Sequence, residues 1–130
     1  MTDPPGIPRR TVLGCAAACA LAASAGCSAG RAEDPAPFTA AATDIPVGGG
    51  VVYAERSTII TQPNPGEFQA FSTACPHQGC AVTEIRDGQL VCPCHGSRFR
   101  LADGSVERGP ARDALSRRAI QVSGTDLRIT

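Results

Sequence analysis

The chain has 130 residues in which 12 basic side chains, all Arg, balance 12 acidic ones. That balance leaves no electropositive footprint for nucleic acid, and the length admits one small domain behind a leader. With no Trp, one Tyr and four Phe, burial falls mainly to Val, Ile and Leu. A domain of about 90 residues leaves much of its surface exposed, so cross-links or bound metal are expected to add stability.

In chain order, Arg9-Arg10-Thr11-Val12-Leu13-Gly14 precedes an uncharged, Ala-rich run that ends at Ala25. This segment resembles a twin-arginine signal peptide. The run is shorter than the roughly 20 apolar residues that cross a bilayer as a helix, so a removable leader over 1–26 is expected in place of an anchor. Its end reads two ways. Ser24-Ala25-Gly26-Cys27 resembles a bacterial lipobox, which would place acyl chains on Cys27 and hold the protein on a membrane surface; Ala23-Ser24-Ala25 also fits an ordinary cleavage site. The lipobox is favoured, although Ser24 stands where Leu is usual.

Residues 27–41 carry Ala, Pro and charge without periodicity and read as a flexible tether. From 42 to 130 the pattern is one of short strands: Val51–Ala54, Thr58–Thr61, Phe68–Phe71, Val82–Ile85, Leu90–Cys92, Arg98–Leu101, Ile120–Val122 and Leu127–Ile129. Turn chemistry separates them at Asn64-Pro65-Gly66, Asp87-Gly88, Asp103-Gly104 and Ser123-Gly124. A small antiparallel all-β domain is expected, a sandwich with two loops forming one tip.

Those loops are Cys75-Pro76-His77-Gln78-Gly79-Cys80 and Cys92-Pro93-Cys94-His95-Gly96-Ser97. They contain both histidines of the chain, each a short step from a cysteine, as C-x-H and C-x-x-H. Pro and Gly fill the remaining positions, so the backbone can approach an inorganic ligand and aim N–H groups at it. At these residues the sequence resembles the Rieske iron-sulfur domains. The resemblance implies a 2Fe-2S cluster, with Cys75 and Cys92 on one iron and His77 and His95 on the other. Imidazoles in place of two thiolates make such a cluster less negative, with potentials up to about +300 mV against about −400 mV for all-cysteine plant-type clusters. The resemblance also implies a disulfide between Cys80 and Cys94, as in the subgroup similar to quinol:cytochrome oxidoreductase subunits. A structural disulfide requires an oxidising compartment, which agrees with an export signal.

Around the cluster the resemblance assigns Ser97 as a hydroxyl donor to a bridging sulfide, and Gly109-Pro110 as a loop covering a third side. Phe99 stands where high-potential members have a Tyr that bonds a ligand sulfur, so a lower potential is expected. Gln78 stands where quinol-oxidising members carry Leu, which argues against direct quinol oxidation. No charge lies between Phe71 and Thr83, which suits transient docking.

Competing readings account for less. A zinc site could use the same two Cys and two His but gives Cys80, Cys94 and Ser97 no role. A thiol-disulfide enzyme uses neither histidine, haem attachment needs C-x-x-C-H where Cys92 to His95 reads C-x-C-H, and oxygenase iron needs further His ligands. The expected function is an exported one-electron carrier between redox proteins. The alternative is a dedicated electron-transfer subunit of a quinol-oxidising or molybdenum enzyme.

Overall fold

The computed structural model describes residues 35–130. The expected signal peptide over 1–26 and the lipidation site Cys27 lie outside the described residues. Among the described residues eleven strands form three antiparallel sheets. The first holds β1 (Phe38–Ala41), β11 (Asp126–Ile129) and β10 (Ile120–Ser123), in that order. The second runs β2 (Gly49–Tyr53), β3 (Thr58–Asn64), β4 (Glu67–Ser72) and β9 (Arg117–Arg118). The third runs β5 (Glu84–Arg86), β6 (Gln89–Val91), β7 (Arg98–Arg100) and β8 (Val106–Arg108).

The second sheet is the middle layer, and β3 shows why. Successive side chains of a strand point to opposite faces, yet Ile59 and Ile60 are both fully buried. Ile59 packs with Phe71, Val82, Leu90 and Phe99 beneath the third sheet, whereas Ile60 packs with Ala40, Leu127 and Ile129 of the first. Neighbouring Ala70 and Phe71 on β4 divide the same way. Polar groups caught between layers are paired: the buried Thr61 hydroxyl donates to the Leu101 carbonyl at 2.8 Å, tying middle sheet to third sheet.

The strand expectations hold with boundary shifts, but the tether expected over 27–41 does not reach its end. Phe38–Ala41 is β1, paired along its length with β11, and Arg118 donates to the Pro35 carbonyl at 2.8 Å. Ala54, expected as strand, opens a single 3-10 turn over Ala54–Arg56. β8 and β9 had no signal in the sequence. Both are edge strands of two or three residues held by backbone pairing, too short to show alternation.

The hairpin chemistry is as expected. Asp87 and Gly88 both have positive φ, 51° and 70°, as a two-residue type I′ turn between β5 and β6 requires. Gly104 is constrained twice, since its φ is +69° and a Cβ there would lie 2.8 Å from the Phe71 ring. Gly104→Ala is expected to cost about 2 kcal/mol, from left-handed backbone and overpacking together. A melt of the purified domain should show the midpoint falling by roughly 10 °C.

Candidate metal centre

The two boxes fold as the same turn, one ahead of β5 and one between β6 and β7. In the first, the Cys75 N–H donates to the Cys80 carbonyl (2.8 Å) and the Gly79 N–H to the Cys75 carbonyl (2.7 Å). In the second, Cys92 N–H donates to Ser97 (2.9 Å) and Gly96 N–H to Cys92 (3.0 Å). Gly79 and Gly96 close these turns at φ +77° and +76°. A third turn repeats the pattern with Arg100, Gly104 and Ser105 but carries neither Cys nor His. The turn is therefore general scaffolding, and the side chains on it make the site.

Those side chains separate by depth. Cys75 and Cys92 are 2% and 1% exposed, inside the core that includes Leu90 and Phe99, and both are free thiols. His77 is half-buried and His95 exposed; their rings stand edge to face with centroids 4.8 Å apart. A sulfur pair thus lies beneath an imidazole pair. Burial pushes the Cys92 thiol up, the backbone N–H of Cys94 opposes this, and the Cys75 sulfur, within hydrogen-bonding reach, adds to it. Backbone N–H from His95 also points at the Cys92 sulfur. Such donors favour a sulfur that bears negative charge.

The arrangement fits a group with two metal atoms and two distinct ends. Among the described residues no three His, Cys, Asp or Glu side chains are gathered around one point; the donors stand as a buried sulfur pair and an imidazole pair. Pairs of donors are what a binuclear iron-sulfur centre asks for: soft sulfurs on one metal, imidazoles on the other. Cys80 and Cys94 form a disulfide that bolts the loops together.

A hydrogen bond joins the second box to the loop that follows β8. Ser97 is fully buried, and its Oγ accepts the Ala111 N–H at 3.0 Å. This ties the Gly109-Pro110 loop, which contains a cis peptide bond, to the second box. The hydroxyl proton remains free for another acceptor. Ala111 carried no sequence signal, because the group it contributes is backbone. Phe99 is fully buried in the core that holds both thiols, and Gln78 is exposed at the tip.

Comparison with known proteins agrees with this site. A chain of Haloferax mediterranei named as the Rieske subunit of a respiratory nitrate reductase is 46% identical over 57 residues, which cover 43% of this chain and 26% of that one. The cytochrome b6-f complex iron-sulfur subunit of Chlorobaculum thiosulfatiphilum is 29% identical over 91 residues, 68% of this chain and 50% of that one. The present chain spans half or less of the length of these curated relatives. Among solved structures, the cyanobacterial plasma membrane Rieske protein PetC3 from Synechocystis PCC 6803 superposes with a TM-score of 0.52 at 32% identity, covering 63% of this chain and 83% of that one. The Rieske [2Fe-2S] domain matches residues 38–122, a span that opens at β1 and takes in both boxes and the disulfide; by fold, site and sequence together, the chain belongs to that family.

Proposed function

We propose that Cys75 and Cys92 bind one iron of the cluster and His77 and His95 the other, and that this chain passes single electrons between redox proteins outside the cytoplasm. One observation carries the reading: a buried sulfur pair under an outward-facing imidazole pair, on two matched turns joined by a disulfide. When bound, a Rieske cluster supplies a site that accepts and releases one electron. The chain's own residues do the rest. The sulfurs sit in the apolar core, away from water, while His95 reaches the surface and offers a partner the shortest approach. The Cys94 and His95 N–H groups hold the Cys92 sulfur, and Ser97 fastens the proline loop over it.

The test is to purify the protein anaerobically, count iron and acid-labile sulfide, and record the EPR spectrum after dithionite. Two irons, two sulfides and a signal of low average g are expected. One zinc and no colour would end the electron-transfer reading.

A second reading, a dedicated subunit of a larger oxidoreductase, draws on the nitrate reductase and b6-f names of the relatives. Co-purification of a stoichiometric partner from the native membrane would favour it over the free carrier. Export rests on the twin-arginine-like leader, and attachment to the membrane surface on Cys27. Among the described residues no helix is long and apolar enough to cross a membrane. Mass spectrometry of the mature N-terminal peptide, with a diacylglyceryl adduct on Cys27 or without it, decides between lipid anchoring and release.

Phe99→Tyr tests the tuning. A hydroxyl at this buried position is expected to donate to a ligand sulfur and to raise the potential by roughly 40 mV, the one-electron equivalent of about 1 kcal/mol. Redox titration of both proteins reads the shift directly.

A further inference from the structure

Two clefts flank the tip, and they differ in charge. On the His77 side a cleft is lined by Pro76, His77, Pro110, Arg112 and Asp113, one charge of each sign. On the His95 side a cleft of about 450 Å³ is lined by Cys92 and His95 together with Arg86, Arg98, Arg108 and Glu84, a local charge of about +2. The domain as a whole has no such excess. Residues 35–130 retain nine Arg (12 less Arg9, Arg10 and Arg31) and nine acids (12 less Asp3, Glu33 and Asp34).

This concentration opposes the fold's own stability. Arg98 and Arg108 are direct partners across β7 and β8, and like charges placed directly opposite in a sheet repel. The carboxylates nearby are engaged elsewhere, Glu84 with Arg86 at 2.9 Å and Glu107 with Arg100. Arg98 meets only the neutral Gln89 amide, at 3.0 Å, and among the described residues Arg108 has no ion pair. Arg98 and Arg108 are thus paired in register without a counter-charge of their own, and both line the cleft that His95 also lines.

The geometry points to this cleft as the docking face for a redox partner whose contact surface is acidic. Carboxylates from the partner would fill the counter-charge positions at Arg98 and Arg108 and bring its electron donor or acceptor against His95. The uncharged tip would supply close contact, and the arginines would supply direction and encounter rate. The His77 side, with its charges balanced, would remain outside the interface. The inference rests on the ligand assignment above for its electron path, and on the arginine pair for its binding.

The test uses the purified holoprotein and two probes. In the first, a fluorescein-labelled octaglutamate peptide is titrated at low ionic strength and followed by anisotropy. Replacing both arginines, Arg98→Gln with Arg108→Gln, is expected to weaken binding about tenfold, and Arg128→Gln, on β11 of the first sheet, to leave it unchanged. Arg108→Gln alone, at an exposed edge, is expected to weaken it about threefold and covers the case in which the double variant does not fold. In the second, the dithionite-reduced protein is oxidised by ferricyanide, which takes one electron and becomes ferrocyanide, or by the cationic tris(phenanthroline)cobalt(III). Ferricyanide oxidation should slow as salt shortens the Debye length and be about tenfold slower in the double variant at low salt; the cobalt complex should show the opposite trends. Equal peptide binding by wild type and both arginine variants, or a ferricyanide rate indifferent to salt, overturns the proposal. So does inorganic phosphate binding as tightly as the peptide, which would make the cleft a small-anion site. A preparation without the reduced-cluster EPR signal would instead sink the ligand assignment, and the peptide titration, which needs no electron, would still decide the docking face.

Discussion

Replacing His95 by Ala is expected to abolish cluster assembly and leave a folded, colourless protein, whereas Cys92→Ser should lose the cluster and destabilise the polypeptide as well. The difference follows from depth. His95 projects from the tip and Cys92 is 1% exposed in the core, so removing the imidazole deletes a ligand and little packing. A surface change of that kind lies within about 0.5 kcal/mol. Serine at 92 trades a buried sulfur for a smaller hydroxyl among Leu90, Val82 and Phe99; the Cys94 and His95 N–H groups compensate it only in part, and moving a hydroxyl into an apolar setting with partial compensation costs about 0.5–2 kcal/mol. The comparison is made between apo forms, so that loss of metal binding is common to both. Iron content, visible absorbance and thermal melts of apo wild type, His95→Ala and Cys92→Ser read all three quantities. His77→Ala should follow His95→Ala, and Cys75→Ser should follow Cys92→Ser. If a histidine variant keeps two irons per chain, the proposed ligand set is wrong. If it melts as low as the cysteine variants, the imidazoles do structural work that their exposure does not suggest.

The centre was legible because its chemistry is local. Each box spans six residues, and its turn is written in Gly79 or Gly96, in the proline after the first cysteine, and in the cysteine itself. The hairpins at Asp87-Gly88 and Asn64-Pro65-Gly66 were legible for the same reason. The layering was not, because it depends on which sheet faces which. Ile59 and Ile60 read as a short apolar run, and only the assembled sheets assign one to the cluster-side core and the other to the far core. β1 was hidden in an Ala- and Pro-rich stretch because its pairing with β11 is a backbone matter between residues 38 and 129. Arg98 and Arg108 escaped notice for a related reason. Ten positions apart in sequence, they become neighbours only through the register of β7 with β8. What one chain encodes in composition is visible early, and what it encodes through pairing emerges with the fold.

Removing the disulfide with Cys80→Ala and Cys94→Ala is expected to cost the domain about 3 kcal/mol. The bond joins residues 14 apart, and closing a loop near that length removes about this much free energy from the unfolded chain in the entropic account. For a domain of this size the melting midpoint should fall by roughly 12–20 °C. A second effect is local and follows from where each half sits. Cys80 supplies the carbonyl that receives the Cys75 N–H, so it anchors the first turn by backbone as well as by sulfur. Cys94 lies between Cys92 and His95, and its N–H is directed at the Cys92 sulfur. The bond therefore couples the backbone that carries two candidate ligands of the second box to the backbone that closes the first. Without it, each turn keeps its own two hydrogen bonds, and opening one loop no longer drags the other. The expected result is a cluster that still assembles but is lost faster: bleaching of visible absorbance in the presence of a chelator should accelerate in the double variant well below its melting temperature. Two measurements separate the global effect from the local one. If bleaching accelerates only in proportion to the unfolded fraction, the disulfide acts on the unfolded chain alone. If it accelerates while the circular dichroism of the sheets is unchanged, the bond is holding the loops shut over the metal.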